Sequence, residues 1–140
     1  MRSVVERMPA RNGVRFETDL RPSTVNGMPA AISRAATNLL DNAVKWSPPD
    51  GVVTVRVSEG ELRVMDSGPG FDPVDLPYVF NRFYRADSAR GMPGSGLGLA
   101  IVKQIAEGHG GKARARNARG GGAMLTVTFG HATNGAGPRA

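Results

Sequence analysis

The sequence predicts a single α/β domain, from its length and from two kinds of hydrophobic periodicity. With 140 residues, of which 40% are hydrophobic, the chain can bury one core but is too short for two comfortable domains. Several short segments alternate apolar and polar residues, as half-buried strands do. Two longer segments repeat apolar residues at helical spacing.

The first half of the chain predicts strands, a long helix and a hairpin. "VRFETDL" at 14–20 alternates like a strand, and "PSTVNGM" at 22–28 is a shorter candidate strand. Apolar residues recur at helical spacing over 30–46, until "SPP" at 47–49 ends the pattern. "GVVTVRVS" and "ELRVMDSG" alternate around "SEG", which predicts a hairpin whose second strand leads directly to Asp66.

The second half predicts a short helix at 74–83, a loop, a helix at 97–107 and two closing strands. The loop at 86–95, "ADSARGMPGS", has no periodicity and contains Gly, Pro and Ser, so we expect it to be mobile. "GGKARARNA" and "GAMLTVTFG" are the closing strands. Residues 131–140 have little to bury, so we expect the domain to span 1–130 and to be followed by a disordered tail.

Composition excludes some classes of protein and favours an anionic partner. No apolar run is long enough to cross a bilayer and no secretory leader is visible, so we expect a soluble domain. The absence of cysteine excludes disulfides and thiolate zinc sites. The net charge of +6 comes from scattered basic residues, and the aromatic residues mostly lie within 71–84, so no nucleic-acid surface is visible. A nucleic-acid-binding domain remains an alternative that the charge alone suggests.

The first polar motif is "NLLDNAVKW" at 38–46, on the long predicted helix. Asn38 and Asn42 are four residues apart and share a face, with Lys45 beside them. Amide oxygens suit Mg²⁺, and an ammonium group suits the phosphate oxygens that the metal bridges. The alternative is an ordinary solvated polar face.

The second motif is "DSGPGF" at 66–71, which follows a predicted strand directly. The carboxylate of Asp66 then projects from the strand end and can accept a hydrogen bond from an exocyclic amine such as that of adenine. Gly68 and Gly70 let the backbone approach a ligand closely. We expect the partner of the carboxylate to be this ligand rather than the core. The alternative is a simple turn.

The third motif is a glycine cluster, Gly94, Gly96 and Gly98, at the start of the second long helix. The first amides of a helix have no intrahelical partner and bind phosphate, and glycine removes side chains that would block the approach. The cluster follows a loop rather than a strand, unlike a dinucleotide fingerprint, and no glycine–lysine pair precedes Ser or Thr as in a P-loop.

Together these motifs resemble those of one family. "NLLDNAVKW", "DSGPGF", "FNRFYR" and "GSGLGLAIVKQIAEGHGG" resemble, in this order, the N, G1, F and G2 boxes of the catalytic ATP-binding domain of bacterial sensor histidine kinases. The resemblance covers roughly 3–130. It implies the Bergerat (GHKL) fold, a two-layer α/β sandwich in which a mixed, mostly antiparallel sheet carries the helices on one face.

The resemblance also implies roles for residues of the long helix. Asn42 matches the asparagine that coordinates Mg²⁺, and Asn38 matches an upstream polar residue that supports the metal or positions the reacting groups. Lys45 matches a phosphate-contacting lysine. Trp46 falls where the family has an aromatic residue or His near the nucleotide.

For the remaining motifs the resemblance implies an adenine pocket and a lid. Asp66 matches the carboxylate that receives the adenine amine, in a pocket shaped by Gly68 and Gly70. Arg85 matches a basic residue near the terminal phosphate, and 86–95 match the ATP lid. The residues expected to close on the phosphates are Gly94, Gly96, Leu97 and Gly98. Asn38, Lys45 and Arg85 are therefore the expected catalytic residues.

The implied function is to bind Mg·ATP and pass the γ-phosphoryl group to a histidine on a separate dimerisation domain. The two histidines of the chain do not suit the acceptor role: His109 matches a structural histidine, and His131 lies in the tail. The resemblance therefore implies a cytoplasmic, monomeric fragment of a longer kinase from a membrane sensor, unable to autophosphorylate alone.

ATP or ADP, the dimerisation domain and, indirectly, an acidic response regulator are the expected partners, without nucleic acid. The alternative within the wider family is an ATP-dependent switch such as an anti-sigma kinase or a chaperone-like ATPase. One departure from the family lies at about Met124, where many relatives have Ser or Thr near the adenine. A water-mediated contact to the base is expected to be lost there.

Overall fold

Five strands and two α-helices form the part of the chain that the computed structural model describes, which is residues 13–20, 29–81, 98–119 and 121–130. The strands are β1 (Arg15–Leu20), β2 (Val52–Ser58), β3 (Glu61–Met65), β4 (Ala113–Asn117) and β5 (Ala123–Thr128). The helices are α1 (Pro29–Trp46), α2 (Gly98–Gly108) and a short 3₁₀ helix (Pro73–Tyr78).

The strands form one mixed sheet in the order β1-β2-β3-β5-β4. β1 and β2 run parallel, and the other three pairs are antiparallel. The β2–β3 connection is a tight hairpin in which Glu59 and Gly60 both have positive φ, 51° and 78°, as favoured two-residue hairpin turns require. The predicted mixed, mostly antiparallel sheet is confirmed.

Both α-helices pack against the same face of the sheet. The strands alternate, so that buried residues face the helices and polar or half-exposed residues such as Arg56 and Thr126 face away. Buried residues from both layers form one cluster that includes Leu39, Leu40, Val53, Val55, Leu62, Val64, Val102, Ala106, Leu125 and Val127. The predicted two-layer sandwich is confirmed, and this packing places the ends of α1 and β3 side by side.

The helix predicted at 74–83 is wrong in type and length. The structure has a 3₁₀ helix from Pro73 to Tyr78, capped by Asp72, whose side chain accepts a hydrogen bond from the Val74 amide at 3.1 Å. Pro77 lies inside this segment and has no amide hydrogen, so a regular α-helix cannot form there. The following Phe80 is partly buried against the core.

Some predicted segments lie outside the described residues. These are the candidate strand at 22–28, the loop at 86–95 and the tail at 131–140. Within the described ranges, no helix combines the length and the apolar character needed to cross a membrane.

Candidate nucleotide site

Asp66 lies at the end of β3, on the buried face of the sheet. Leu62 and Val64 are buried, and the same alternation carries Asp66 to that face, where its exposure is 9%. Its Oδ1 accepts hydrogen bonds from the amides of Gly68 and Ala123, at 2.9 and 3.0 Å. Its Oδ2 makes no hydrogen bond to any described residue, so one oxygen is left for a ligand.

The electrostatic environment of Asp66 is unusual for a carboxyl group. Burial raises the pKa of the Asp66 carboxyl above its ordinary value of 3.8, and the hydrogen bonds from the Ala123 and Gly68 amides lower it in part. Keeping a partly desolvated carboxylate ionised lowers the stability of the folded protein. Carboxyl groups with such shifted pKa values cluster at functional sites. Asp66 is therefore the strongest single indication of a binding site.

The loop after Asp66 is joined to the end of α1. The Ser67 amide donates a hydrogen bond at 3.2 Å to Oγ of Ser47, which is the residue that follows Trp46. A Cβ on Gly68 would lie 2.3 Å from the Trp46 carbonyl oxygen, so this position admits only glycine without a shift of the backbone. The motifs at 38–46 and 66–71 therefore meet.

Asn38 links α1 to the start of α2. Its Nδ2 donates to the carbonyl oxygen of Gly98 at 3.2 Å, across 60 residues of sequence. A Cβ on Gly98 would meet no described residue within 4 Å. The bond places Asn38 beside the start of α2, and its role in supporting the metal or positioning the reacting groups stays a prediction.

Asn42 lies one turn after Asn38 and carries a buried amide oxygen. Among the described residues this Oδ1 has no hydrogen-bond partner, although a buried acceptor without a partner is costly. A hard oxygen ligand in this state fits a Mg²⁺ ion. The described residues contain no cluster of three or more His, Asp or Glu that could hold a metal instead. Lys45 and Trp46 follow in the last turn of α1, both half-buried.

The structure brings together only part of the predicted site. Asn38, Asn42, Lys45, Trp46, Asp66, Gly68, Gly70 and Gly98 lie on α1, on the adjoining loop or at the start of α2. Arg85, Gly94, Gly96 and Leu97 lie outside the described residues. Sequence reasoning missed Ser47, Asn117, Gly122 and Ala123. Of these, only Gly122 left a signal, because it belongs to a glycine run just before a strand.

The structure places Met124, the position where the resemblance expects Ser or Thr, on the opposite sheet face from Asp66. Met124 pairs with Met65 and is half-buried on the sheet face that points away from the helices. The buried Ala123 lies instead on the face that carries Asp66, and its amide donates to Asp66 Oδ1. Side chains alternate along a strand, so a shift of one residue moves a side chain to the other face.

His109 has a structural role, as expected. Its Nδ1 lies 2.8 Å from the Ile105 carbonyl oxygen and, because a carbonyl only accepts, Nδ1 carries the proton. The ring also packs edge-on against Phe129, with 6.2 Å between the ring centroids. His109 is thus tied to the end of α2.

A surface depression of about 220 Å³ lies at the other end of β3, by the β2–β3 hairpin. It contains no predicted site residue and combines acidic with basic side chains. Its lining residues are Asp19, Arg56, Val57, Ser58, Glu61 and Arg63. We give it no role in nucleotide binding.

Comparison with known proteins agrees with this geometry. Residues 27–133 match the family described as "Histidine kinase-, DNA gyrase B-, and HSP90-like ATPase". The signal transduction histidine-protein kinase/phosphatase MprB of Mycobacterium ulcerans (strain Agy99) is 52% identical over 117 residues, which cover 80% of this chain and 23% of MprB.

Solved structures show the same relationship. A mycobacterial sensor histidine kinase MprB aligns with a TM-score of 0.74 and 42% identity, covering 85% of this chain and 83% of that one. Full-length ShkA in complex with AMPPNP aligns with a TM-score of 0.79 and 30% identity, covering 99% of this chain and 31% of ShkA.

The chain therefore belongs to the histidine kinase-, DNA gyrase B- and HSP90-like ATPase family. Within the family it corresponds to the catalytic ATP-binding domain of sensor histidine kinases rather than to an anti-sigma kinase or a chaperone. It spans about a quarter of the length of the curated relatives that it matches.

Proposed function

We propose that this domain binds ATP together with Mg²⁺ and, within a longer cytoplasmic kinase region, donates the γ-phosphoryl group to a histidine on a separate domain. The observation that carries the proposal is the buried carboxylate of Asp66, with Oδ1 held by two backbone amides and Oδ2 left without a hydrogen bond. A fixed acceptor at the end of a strand suits the exocyclic amine of adenine. Guanine has a carbonyl at the same position, which a carboxylate repels.

Asn42 would hold the metal through its buried Oδ1. When bound, Mg²⁺ offsets negative charge on the phosphate oxygens. Lys45 would add positive charge at the end of α1, and Asn38 would position the entrance of α2 through its bond to Gly98. Arg85 at the terminal phosphate, with Gly94, Gly96 and Leu97 in the lid, remain predictions from the sequence.

Phosphoryl transfer requires a histidine that this domain does not provide. A new N–P bond would form on the acceptor histidine while the P–O bond to the ADP leaving group breaks. Such transfer depends mainly on positioning and on charge stabilisation. His109 contacts the Ile105 carbonyl oxygen through Nδ1 and packs its ring against Phe129. The acceptor would therefore come from the dimerisation domain of the longer kinase, which would then pass the phosphoryl group to a response regulator.

Calorimetry on the chain tests nucleotide binding directly. We expect Mg-dependent binding of ATP with a Kd between micromolar and millimolar, about −8 to −4 kcal/mol. Asn42→Ala should weaken binding roughly ten- to hundredfold with Mg²⁺ present and much less without it. Gln104→Ala, on an exposed position of α2, serves as the control. No heat with ATP, ADP or a non-hydrolysable analogue in Mg²⁺ would refute the proposal.

Phosphotransfer is tested by mixing the chain with a dimerisation domain that bears the acceptor histidine. The expected product is an acid-labile phosphoprotein on that domain and none on the chain alone. Binding of ATP without any transfer would instead favour an ATP-dependent switch.

A further inference from the structure

The turn between β4 and β5 contacts both ends of the loop that carries Asp66. We call residues 66–71 the Asp66 loop. At its first end, the Ala123 amide donates to Asp66 Oδ1 at 3.0 Å, and the Asp66 amide donates to the Ala123 carbonyl oxygen at 3.0 Å. These bonds fix where the carboxylate lies.

At its other end, the Asp66 loop is held by one side chain, Asn117. The Phe71 amide donates to Asn117 Oδ1 at 2.7 Å, and Asn117 Nδ2 donates to the Phe71 carbonyl oxygen at 2.8 Å. The carboxamide thus makes the two bonds that a neighbouring strand would make with Phe71. No other described group bonds to the Phe71 backbone.

The close contacts in this region show that the loop is pressed against the turn. Gly70 has a φ of 81°, and a Cβ there would lie 2.7 Å from Asn117 Oδ1. A Cβ on Gly122 would lie 2.2 Å from the Asp66 carbonyl oxygen. The turn itself is closed by a bond from the Ala118 amide to the Gly122 carbonyl oxygen at 2.8 Å. Asn117 and Ala123 are paired across β4 and β5, so one hairpin contacts both ends of the loop.

We propose that Asn117 is a positioning residue for nucleotide recognition, which holds the Asp66 loop in its binding conformation before ATP arrives. The inference rests on the proposed function. An ordered loop loses less conformational freedom on binding, so preorganisation strengthens affinity without a contact to the ligand. Removing the carboxamide frees one end of the loop while Ala123 still holds Asp66 at the other.

The test is the affinity of Asn117→Ala for nucleotides. The loss of a modest hydrogen-bond clamp is expected to weaken binding of Mg·ATP about three- to tenfold. Because the loop belongs to the base end of the site, the binding of adenosine, which has no phosphates, should weaken by the same factor. Amide hydrogen exchange within 67–71 should accelerate in the absence of ligand.

Further variants separate positioning from general stability. Arg116→Ala changes the neighbouring residue, which is exposed on β4, and should bind as the wild type does. Asn117→Asp keeps an acceptor for the Phe71 amide but places a carboxylate oxygen against the Phe71 carbonyl, so it should not restore affinity. Asn117→Ser, which retains a shorter hydroxyl group, replaces Asn117→Ala if that variant does not fold.

The outcomes distinguish this inference from the proposed function. Wild-type affinity in a folded Asn117→Ala or Asn117→Ser variant overturns the inference alone. Weakened binding of ATP with unchanged binding of adenosine also overturns it, because the effect would then not lie at the base end. Absence of nucleotide binding by the wild-type chain overturns the proposed function, and the inference with it.

Discussion

The two carboxylate oxygens of Asp66 have different partners. Oδ1 accepts from the Gly68 and Ala123 amides and so supports the β3–β5 pairing, whereas Oδ2 makes no bond to a described residue. The expectation that the carboxylate serves only a ligand is therefore corrected. Substitutions of this residue must separate its effect on binding from its effect on the fold.

Asp66→Asn and Asp66→Ala should make this separation. The amide of Asn keeps an acceptor for both backbone amides, so the fold should survive while ATP binding falls roughly ten- to hundredfold. Ala leaves two buried amides without an acceptor and should also lower the free energy of unfolding by about 1–3 kcal/mol. Calorimetry and urea unfolding of both variants measure the two effects, and unchanged ATP affinity in Asp66→Asn would exclude the adenine role.

The raised pKa of Asp66 predicts a pH-dependent difference between wild type and Asp66→Asn. Ionisation of Asp66 is less favourable in the folded state than in the unfolded chain, so the contribution of this residue to stability is fully present below pH 3.8 and is lost as the pH rises through the raised pKa. Asn cannot ionise and shows no such fall. Urea unfolding from acid to neutral pH should show a difference in favour of Asp66→Asn that grows with pH. A difference that stays constant with pH would contradict the assignment.

Among the elements, the connection from α2 to β4 explains why "GHGG" ends the helix. Gly110 has a φ of 80°, and the Gly111 amide returns to the Ala106 carbonyl oxygen at 2.8 Å, which closes the helix with a left-handed residue. A Cβ on Gly111 would lie only 1.8 Å from the Thr128 carbonyl oxygen of β5. The chain therefore enters β4 through a gap that admits only glycine.

Gly111→Ala should accordingly destabilise the domain. Forcing a methyl group against the β5 backbone is expected to lower the free energy of unfolding by about 1–3 kcal/mol. Gly108→Ala is the matched control, since a Cβ there meets nothing within 4 Å and alanine favours a helix. Urea midpoints of the two variants should move in opposite directions. Equal midpoints would show that β4 relaxes to accept the methyl group.

For the whole molecule, the candidate site exists because distant segments meet at one end of the sandwich. Asn38 bonds to Gly98, Ser47 accepts from Ser67, and Asn117 holds Phe71. Trp46 lies at this meeting point, half-buried and with its carbonyl group against Gly68. Trp46 is the sole tryptophan of the chain and can report binding.

We expect the intrinsic fluorescence of Trp46 to change when Mg·ATP binds. Asn42 is one helical turn away, about 5.4 Å along the axis, so a metal held there would place the nucleotide near the indole. Asn42→Asp should reduce the change by disturbing the metal site. A flat fluorescence signal during a titration in which calorimetry detects binding would place the indole in the core and remove Trp46 from the site.

The hydrophobic pattern of the sequence was sufficient to predict the helices α1 and α2, the β2–β3 hairpin and the two closing strands. Hydrophobic periodicity reports which face of a segment is buried, so it predicts these elements without knowledge of their neighbours. It also placed Asp66 at a strand end and Asn38 and Asn42 on one helical face. The 3₁₀ helix was missed because its prolines change the hydrogen bonding rather than the periodicity.

By itself, then, the sequence determined the elements, the polar motifs and the family they resemble, because these depend on spacing along the chain. Only the tertiary structure showed that Asp66 Oδ1 accepts from the Ala123 amide, that Ala123 rather than Met124 lies on the same sheet face as Asp66, and that Asn117 holds the Phe71 end of the Asp66 loop. Such contacts join residues far apart in the chain, and no local spacing specifies which backbone group a side chain will meet. They depend on strand order and register, which the packing of the whole sheet against the helices sets.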